Sequence, residues 1–223
     1  ILSNYMIFFF MANFKIKIID NFLNDNHLQE FYKIAEKLHV KTKFNIFHNE
    51  VDKDNRILKS SFDKDLVLEI NADCLHKSLK ILKDLCPEKY DLFTYSDLTI
   101  IKTDKNSTFP IHDDSPNKLL SGVIYLSPES NLGTTFYSNK KGDNQKEIEW
   151  KKNRAVFFSR KEKETWHSFG ADGINHRTVL VFNLNTNEEN LKKIYKIENK
   201  NYFLGMFRYK INPALHRFFN FTI

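Results

Sequence analysis

The chain changes its hydrophobic period partway along. Residues Phe14 to Ile19 alternate apolar and polar positions and read as a strand. Asn24-Asp25-Asn26 then offer capping side chains for a helix running to about His39, with Leu28, Phe31, Ile34, Ala35 and Leu38 on one face. The polar stretch from Lys41 to about Ser60 reads as loop or irregular strand. A second amphipathic helix fits roughly Asp65 to Leu85 and is stopped by Pro87.

Beyond Pro87 the period shortens to two. β-type runs fall at Leu98–Thr103, Leu119–Leu126, Thr134–Ser138, Glu147–Lys151, Ala155–Ser159, Thr165–Phe169 and Thr178–Leu184. Turn-rich pieces such as Ser127-Pro128-Glu129-Ser130-Asn131 and Gly170-Ala171-Asp172-Gly173 separate them. Helices followed by many short strands predict a mainly β, α+β fold: an antiparallel double-sheet jelly roll with the N-terminal helices packed on one side. We expect one domain over residues 1–223, with its core at 97–185 and a C-terminal extension at 186–223. The extension carries a short helix from Asn187 onward and an aromatic, basic segment from Tyr202 to Phe221, read as cover for the core or for a subunit interface. The apolar run Met6 to Met11 is too short to span a bilayer and lacks the basic leader of a secretory signal. Residues 1–12 read as a leader outside the native chain, with Met6 or Met11 as a natural start.

Composition narrows the function classes. A formal net charge of +6 invites a nucleic-acid partner, but most of the 34 basic residues are lysines scattered among acids. Stretches such as Arg160-Lys161-Glu162-Lys163-Glu164 mix both signs and read as solvated surface, so nucleic acid is disfavoured. Cys74 and Cys86 are the only cysteines and lie too far apart on one helix for a bridge, which favours a reducing, cytoplasmic setting. No membrane span is expected, and a homodimer is admitted.

The chemistry centres on Phe109-Pro110-Ile111-His112-Asp113-Asp114. In an extended segment, side chains two apart share a face, so His112 and Asp114 lie together while Asp113 turns away. An imidazole and a carboxylate supply two ligands of a facial triad, and one more histidine completes it with three metal positions left open. His167, His176 and His216 are the candidates. Arg177 separates them: a turn at Gly170 to Gly173 would fold the strand of His167 antiparallel to the strand beginning at Arg177. The planar guanidinium would then enter the same cavity, suited to a carboxylate.

With Val123-Ile124-Tyr125-Leu126-Ser127, Gly133-Thr134-Thr135-Phe136-Tyr137, Asn153-Arg154-Ala155-Val156-Phe157-Phe158 and Arg177-Thr178-Val179-Leu180-Val181-Phe182, these motifs resemble the core of the 2-oxoglutarate and Fe(II)-dependent oxygenases. The nearest branch is the prolyl-4-hydroxylase-like one, and the likeness covers roughly Asp97 to Asn185. It implies a double-stranded β-helix with Fe(II) held by His112, Asp114 and His167. It also implies 2-oxoglutarate anchored by Arg177, with Tyr125 adding a hydrogen bond, and O2 as the oxidant. Two departures stand out. Leu132-Gly133 replaces the pair of glycines many members carry, and Lys102 stands near the place of a tyrosine that often precedes the first ligand.

The resemblance implies hydroxylation of a peptidyl proline or a small molecule, with release of succinate and CO2. Asp114 argues against the related halogenases, which carry a small residue there. Asn183, where nucleic-acid demethylases of the superfamily carry a second arginine, argues against base repair. Two other readings remain: a jelly-roll binding module without catalysis, and a cupin-type metalloenzyme that does not use 2-oxoglutarate.

Overall fold

A computed structural model of the chain describes the backbone of residues 6–11 and 14–219 and the side chains of residues 14–212. Strands β1 (Met6–Met11) and β2 (Phe14–Ile19) pair antiparallel at the start. The leader expected over residues 1–12 thus includes a strand, and the rest of it lies outside the described residues. The side chain of Asn24 accepts the amide of His27 and opens helix α1 (Asp25–Lys37). The side chain of Asp63 does the same at Leu66 for α2 (Lys64–Leu85), which ends before Pro87 in a single stretch of 3-10 helix, Pro87–Leu92.

Between the helices, where a loop or irregular strand is expected, lies a hairpin: β3 (Phe44–Asp52) and β4 (Ile57–Lys59). Period two does hold along β3, but its two faces carry Asn49 buried on one and His48 and Glu50 on the other, so polarity hides the alternation.

The remaining strands are β5 (Tyr95–Thr103), β6 (Thr108–His112), β7 (Lys118–Ser127), β8 (Thr135–Tyr137), β9 (Lys146–Glu147), β10 (Ala155–Phe158), β11 (Trp166–Gly170) and β12 (Arg177–Asn185). They close the chain into two antiparallel sheets, an eight-stranded one ordered β1-β2-β10-β7-β12-β5-β3-β4 and a four-stranded one ordered β6-β11-β8-β9. This is the jelly roll with helices on one side. The strand expected at Glu147–Lys151 is shorter than the pattern implies. Its buried Ile148 and Trp150 fill the roll from irregular backbone instead.

Each face of the large sheet meets its own core. Leu98, Ile100, Leu120, Ile124, Leu180, Phe182 and Leu184 pack outward against Phe31, Ile70, Cys74, Ile81 and Leu82 of the two helices. Tyr125, Val156, Phe158 and Val179 point inward against Phe136, Ile148 and Trp150. A Cβ on Gly122 would fall 2.2 Å from the Phe157 ring, so only glycine lets that side chain lie across β7. Cys74 and Cys86 are free thiols. Helix α3 (Leu191–Ile197) is the short helix expected after Asn187, and the aromatic, basic segment forms a further helix, α4 (Tyr202–Phe219). No helix among the described residues is long and apolar enough to cross a membrane.

Candidate metal centre

His112 ends β6, and Asp114 stands just past it in the connection to β7 rather than on the strand itself. His167 lies on β11 directly opposite His112 in the ladder. Among the described residues these three form a set able to hold a metal ion, with ligand atoms all within 4.8 Å of one another. The imidazole centroids are 4.2 Å apart. Phe109 edges onto His112 at 4.6 Å and Phe158 onto His167 at 4.9 Å, so the rings have little freedom to swing.

Backbone contacts fix which nitrogen of each ring is free. Nδ1 of His112 lies 2.9 Å from the carbonyl of Pro110, and Nδ1 of His167 lies 2.9 Å from that of Thr165. A carbonyl only accepts, so each Nδ1 carries the proton and each Nε2 presents a lone pair. Burial, joined by the neighbouring His167, pushes His112 down to about 3, and burial also lowers His167. Both rings are therefore neutral at ordinary pH. For Asp114 burial acts to raise the carboxyl, but the Lys118 ammonium at 2.7 Å outweighs it and holds it below the usual range. Its second oxygen accepts from Ser121. Asp113 turns away, as its position predicts, and accepts the amide of Lys163.

Arg177 opens β12, and here the topology differs from expectation. β11 and β12 do not form a hairpin: β11 pairs β6 and β8 in the small sheet, whereas β12 runs between β5 and β7 in the large one. The segment from 171 to 176 crosses from one sheet to the other. Arg177 still enters the roll, because its side chain meets Phe169 of β11 and Tyr125 and Trp150 of the inner core at 5.1 to 5.7 Å. It is 1% exposed and has no ion-pair partner among the described residues. Nε donates to the carbonyl of Leu132 at 3.3 Å, while Nη2 has no hydrogen-bond partner. Burial pulls its pKa down to about 10, so the guanidinium remains a cation. A buried cation without a counter-charge costs several kcal/mol, roughly, until an anion reaches it. That orphaned donor fits a carboxylate.

Tyr125 lies beside it, buried and stacked on Trp150 at 4.5 Å and 11°. Its hydroxyl accepts the amide of Thr134 at 2.8 Å, which leaves the hydroxyl hydrogen free for the same anion. A cavity of about 300 Å³ lined by Phe109, Leu132, Gly133, Phe169 and Gly170 reaches the groups around Arg177. Gly133 is needed there because a Cβ would fall 1.7 Å from the Ile148 carbonyl.

The other candidates separate cleanly. His176 is on the surface, 3.7 Å from Asp104, and the side chain of His216 lies outside those described. Lys102 faces the helices rather than the roll, its ammonium donating to the carbonyls of Ala35 and Leu38 at the end of α1. The residue sequence reasoning missed is Arg160. It is buried rather than solvated, bound to Glu162 and Glu198, and its Nε donates to the carbonyl of Asp114. Nothing in Arg160-Lys161-Glu162-Lys163 marks it in the sequence: the first and third residues are buried and the second and fourth are not, but all four are charged.

No family model and no curated protein sequence matches the chain. Solved structures do. A prolyl-4-hydroxylase of Pseudomonas putida superposes with a TM-score of 0.53 at 13% identity, over 79% of this chain and 95% of that one. The truncated viral collagen prolyl hydroxylase of Paramecium bursaria Chlorella virus-1 gives 0.51 at 15%, over 78% and 90%. An oxidoreductase of the 2OG-Fe(II) oxygenase family from Burkholderia pseudomallei gives 0.52 at 14%, over 76% and 84%. At such identities the likeness is one of fold, and the chain has the fold of the 2-oxoglutarate and Fe(II)-dependent oxygenases in their prolyl-4-hydroxylase-like form.

Proposed function

We propose that this chain is a 2-oxoglutarate- and O2-dependent Fe(II) oxygenase that hydroxylates a small-molecule or peptide substrate, a peptidyl proline among the candidates, and releases succinate and CO2. The reading takes residues 1–223 as one oxygenase domain. The observation that carries it is a pair within one interior: two neutral imidazoles with a carboxylate, and a buried guanidinium with a free donor. A metal centre alone would account for the first and leave Arg177 without a role. A dicarboxylate co-substrate accounts for both.

His112, Asp114 and His167 would hold Fe(II) from one side and leave the opposite positions open. The iron would supply redox chemistry and a Lewis-acidic site where co-substrate and oxygen meet. The protein's part is orientation and exclusion of water. Arg177 would take the far carboxylate of 2-oxoglutarate through Nη2, with Tyr125 as second donor. Ser121 and Lys118 keep the Asp114 carboxylate ionised and aimed. The apolar walls of Phe158, Val179 and Val181 keep the reacting centre dry.

Anaerobic loading with Fe(II) and 2-oxoglutarate tests this directly through the weak visible charge-transfer band that iron-bound 2-oxoglutarate gives. The band is expected in the wild type, absent in His112→Ala, and reached only at much higher 2-oxoglutarate in Arg177→Ala. Iron binding without a band would favour the cupin-type metalloenzyme, and no iron binding would favour the binding module.

A further inference from the structure

We propose that helix α4 docks the protein on an anionic lipid surface, with Phe203, Leu204 and Phe207 entering the headgroup region and exposed lysines of α3 and α4 meeting the lipid phosphates. The surface lies outside the roll and does not rest on the oxygenase reading.

A helix on a domain surface ordinarily turns its apolar stripe inward. The first turns of α4 do the reverse. On the protein side, Tyr202 edges onto Tyr195 of α3 at 5.7 Å, and Gly205 lies so close to the same ring that a Cβ has no room. Arg208 reaches Glu162 of the buried ion network. These contacts fix the helix on the domain. Phe203, Leu204 and Phe207 point away from them and are 77%, 58% and 55% exposed. Positions three and four apart are neighbours on a helix surface, so the three side chains form one apolar patch. Lys210 continues the same side and is exposed. The helix thus keeps a glycine and an arginine for the protein and offers its phenylalanines to something outside.

Charge identifies what covers the patch. Between Leu191 and Asn212 the basic residues are Lys192, Lys193, Lys196, Lys200, Arg208 and Lys210. They face one acid, Glu198, which is buried and already bound to Lys89 and Arg160. Lys200 pairs with Glu164 and Arg208 with Glu162. Lys192, Lys193 and Lys196 are the exposed residues of α3, and with Lys210 they have no acidic partner among the described residues. A second copy of the chain docked on this patch would bring these lysines against their own counterparts, which like-charge repulsion opposes. An anionic bilayer supplies both halves of the match: an apolar phase for Phe203, Leu204 and Phe207, and phosphates for the lysines. In this arrangement α4 lies on the bilayer, as no described helix is long and apolar enough to cross it.

Sedimentation with lipid vesicles tests the assignment. The intact chain is mixed with vesicles of phosphatidylcholine, and separately with vesicles of phosphatidylcholine containing phosphatidylglycerol. Binding to the anionic vesicles is expected to be at least about tenfold tighter and to weaken as salt is raised. Phe203→Ser with Phe207→Ser, at exposed positions and with the fold checked by circular dichroism, should weaken it at least about tenfold. Lys192→Glu with Lys196→Glu should remove the preference for the anionic vesicles. Equal binding to both vesicles, no binding to either, or binding that survives the phenylalanine pair overturns the proposal. So does a dimer in sedimentation equilibrium that the phenylalanine pair dissolves, because a second copy then covers the patch. Binding to a mixed-sequence oligonucleotide in place of vesicles assigns the lysines to nucleic acid and overturns it as well.

Discussion

Two arginines are buried to the same degree and live in opposite circumstances. Arg160 is 2% exposed and Arg177 1%. Arg160 is saturated: one Nη donates to Glu198, the other to Glu162, and Nε to the backbone of Asp114. Lys89 reaches the same Glu198, and Arg208 of α4 reaches Glu162, so the charges nearly balance within the protein. Arg177 has aromatic rings on three sides, one long hydrogen bond and no acid. An ion network complete within the protein needs no ligand, whereas a buried cation without a counter-charge carries a desolvation cost that a bound anion would offset.

The contrast predicts opposite responses to the same change. Arg160→Met should destabilise the fold by about 3–5 kcal/mol, because Glu162 and Glu198 would stay buried without their cation. Urea unfolding measures it. A loss below about 1 kcal/mol would mean that Lys89 and Arg208 carry the network without Arg160. Arg177→Met removes a cation that has no partner to strand. Its stability should hold or rise, by up to about 1–2 kcal/mol, as when buried charges give way to packed apolar groups. The penalty appears only with co-substrate, where 2-oxoglutarate affinity should fall about 30- to 1,000-fold, read from titration of the charge-transfer band. If Arg177→Met unfolds as Arg160→Met does, the two arginines are alike and the comparison fails.

The sequence pattern told these two apart only in part, and the reason is physical. Arg177 was legible as the residue opening the apolar strand Thr178 to Leu184, although the hairpin expected to bring it beside His167 does not form. The grouping of His112, Asp114 and His167 was legible in the His-x-Asp spacing, although Asp114 reaches it from the connection past β6 and not from the strand face the pattern implied. Which strand β11 pairs with was not, since a six-residue connection serves equally for a hairpin or for a crossing between sheets. Arg160 was hidden by its neighbours. Alternating charges look like solvated surface whether or not every second one is buried, and only Glu198, 38 residues away, makes burial affordable. The β3–β4 hairpin reads as loop or irregular strand in the sequence for a related reason: its inward face carries His48 and Glu50, polar residues where a core strand would show apolar ones. Local alternation reports a strand when one face is oily. At a charged inner face it goes silent.

The finest test of the comparison is the pH dependence of the complete network. Burial acts to raise the carboxyl of Glu162, but Arg160 and Arg208 outweigh it, so its folded pKa lies below the ordinary 4.5. A carboxylate with a depressed folded pKa adds stability that is fully present above its unfolded value. That stability is lost as pH falls through the folded one. Wild-type stability should therefore decline on acidification from about pH 5 downward, with Glu162 contributing at most about one proton to the slope. Glu162→Gln keeps the shape and a hydrogen-bond acceptor but cannot titrate, so its stability curve should run flatter than the wild type's below pH 4.5 and parallel to it above. Arg177 has no acid to lend it such a dependence. Replacing it with Met should leave the acid slope where it was, and a change there would reveal a carboxylate partner that the folded structure does not contain.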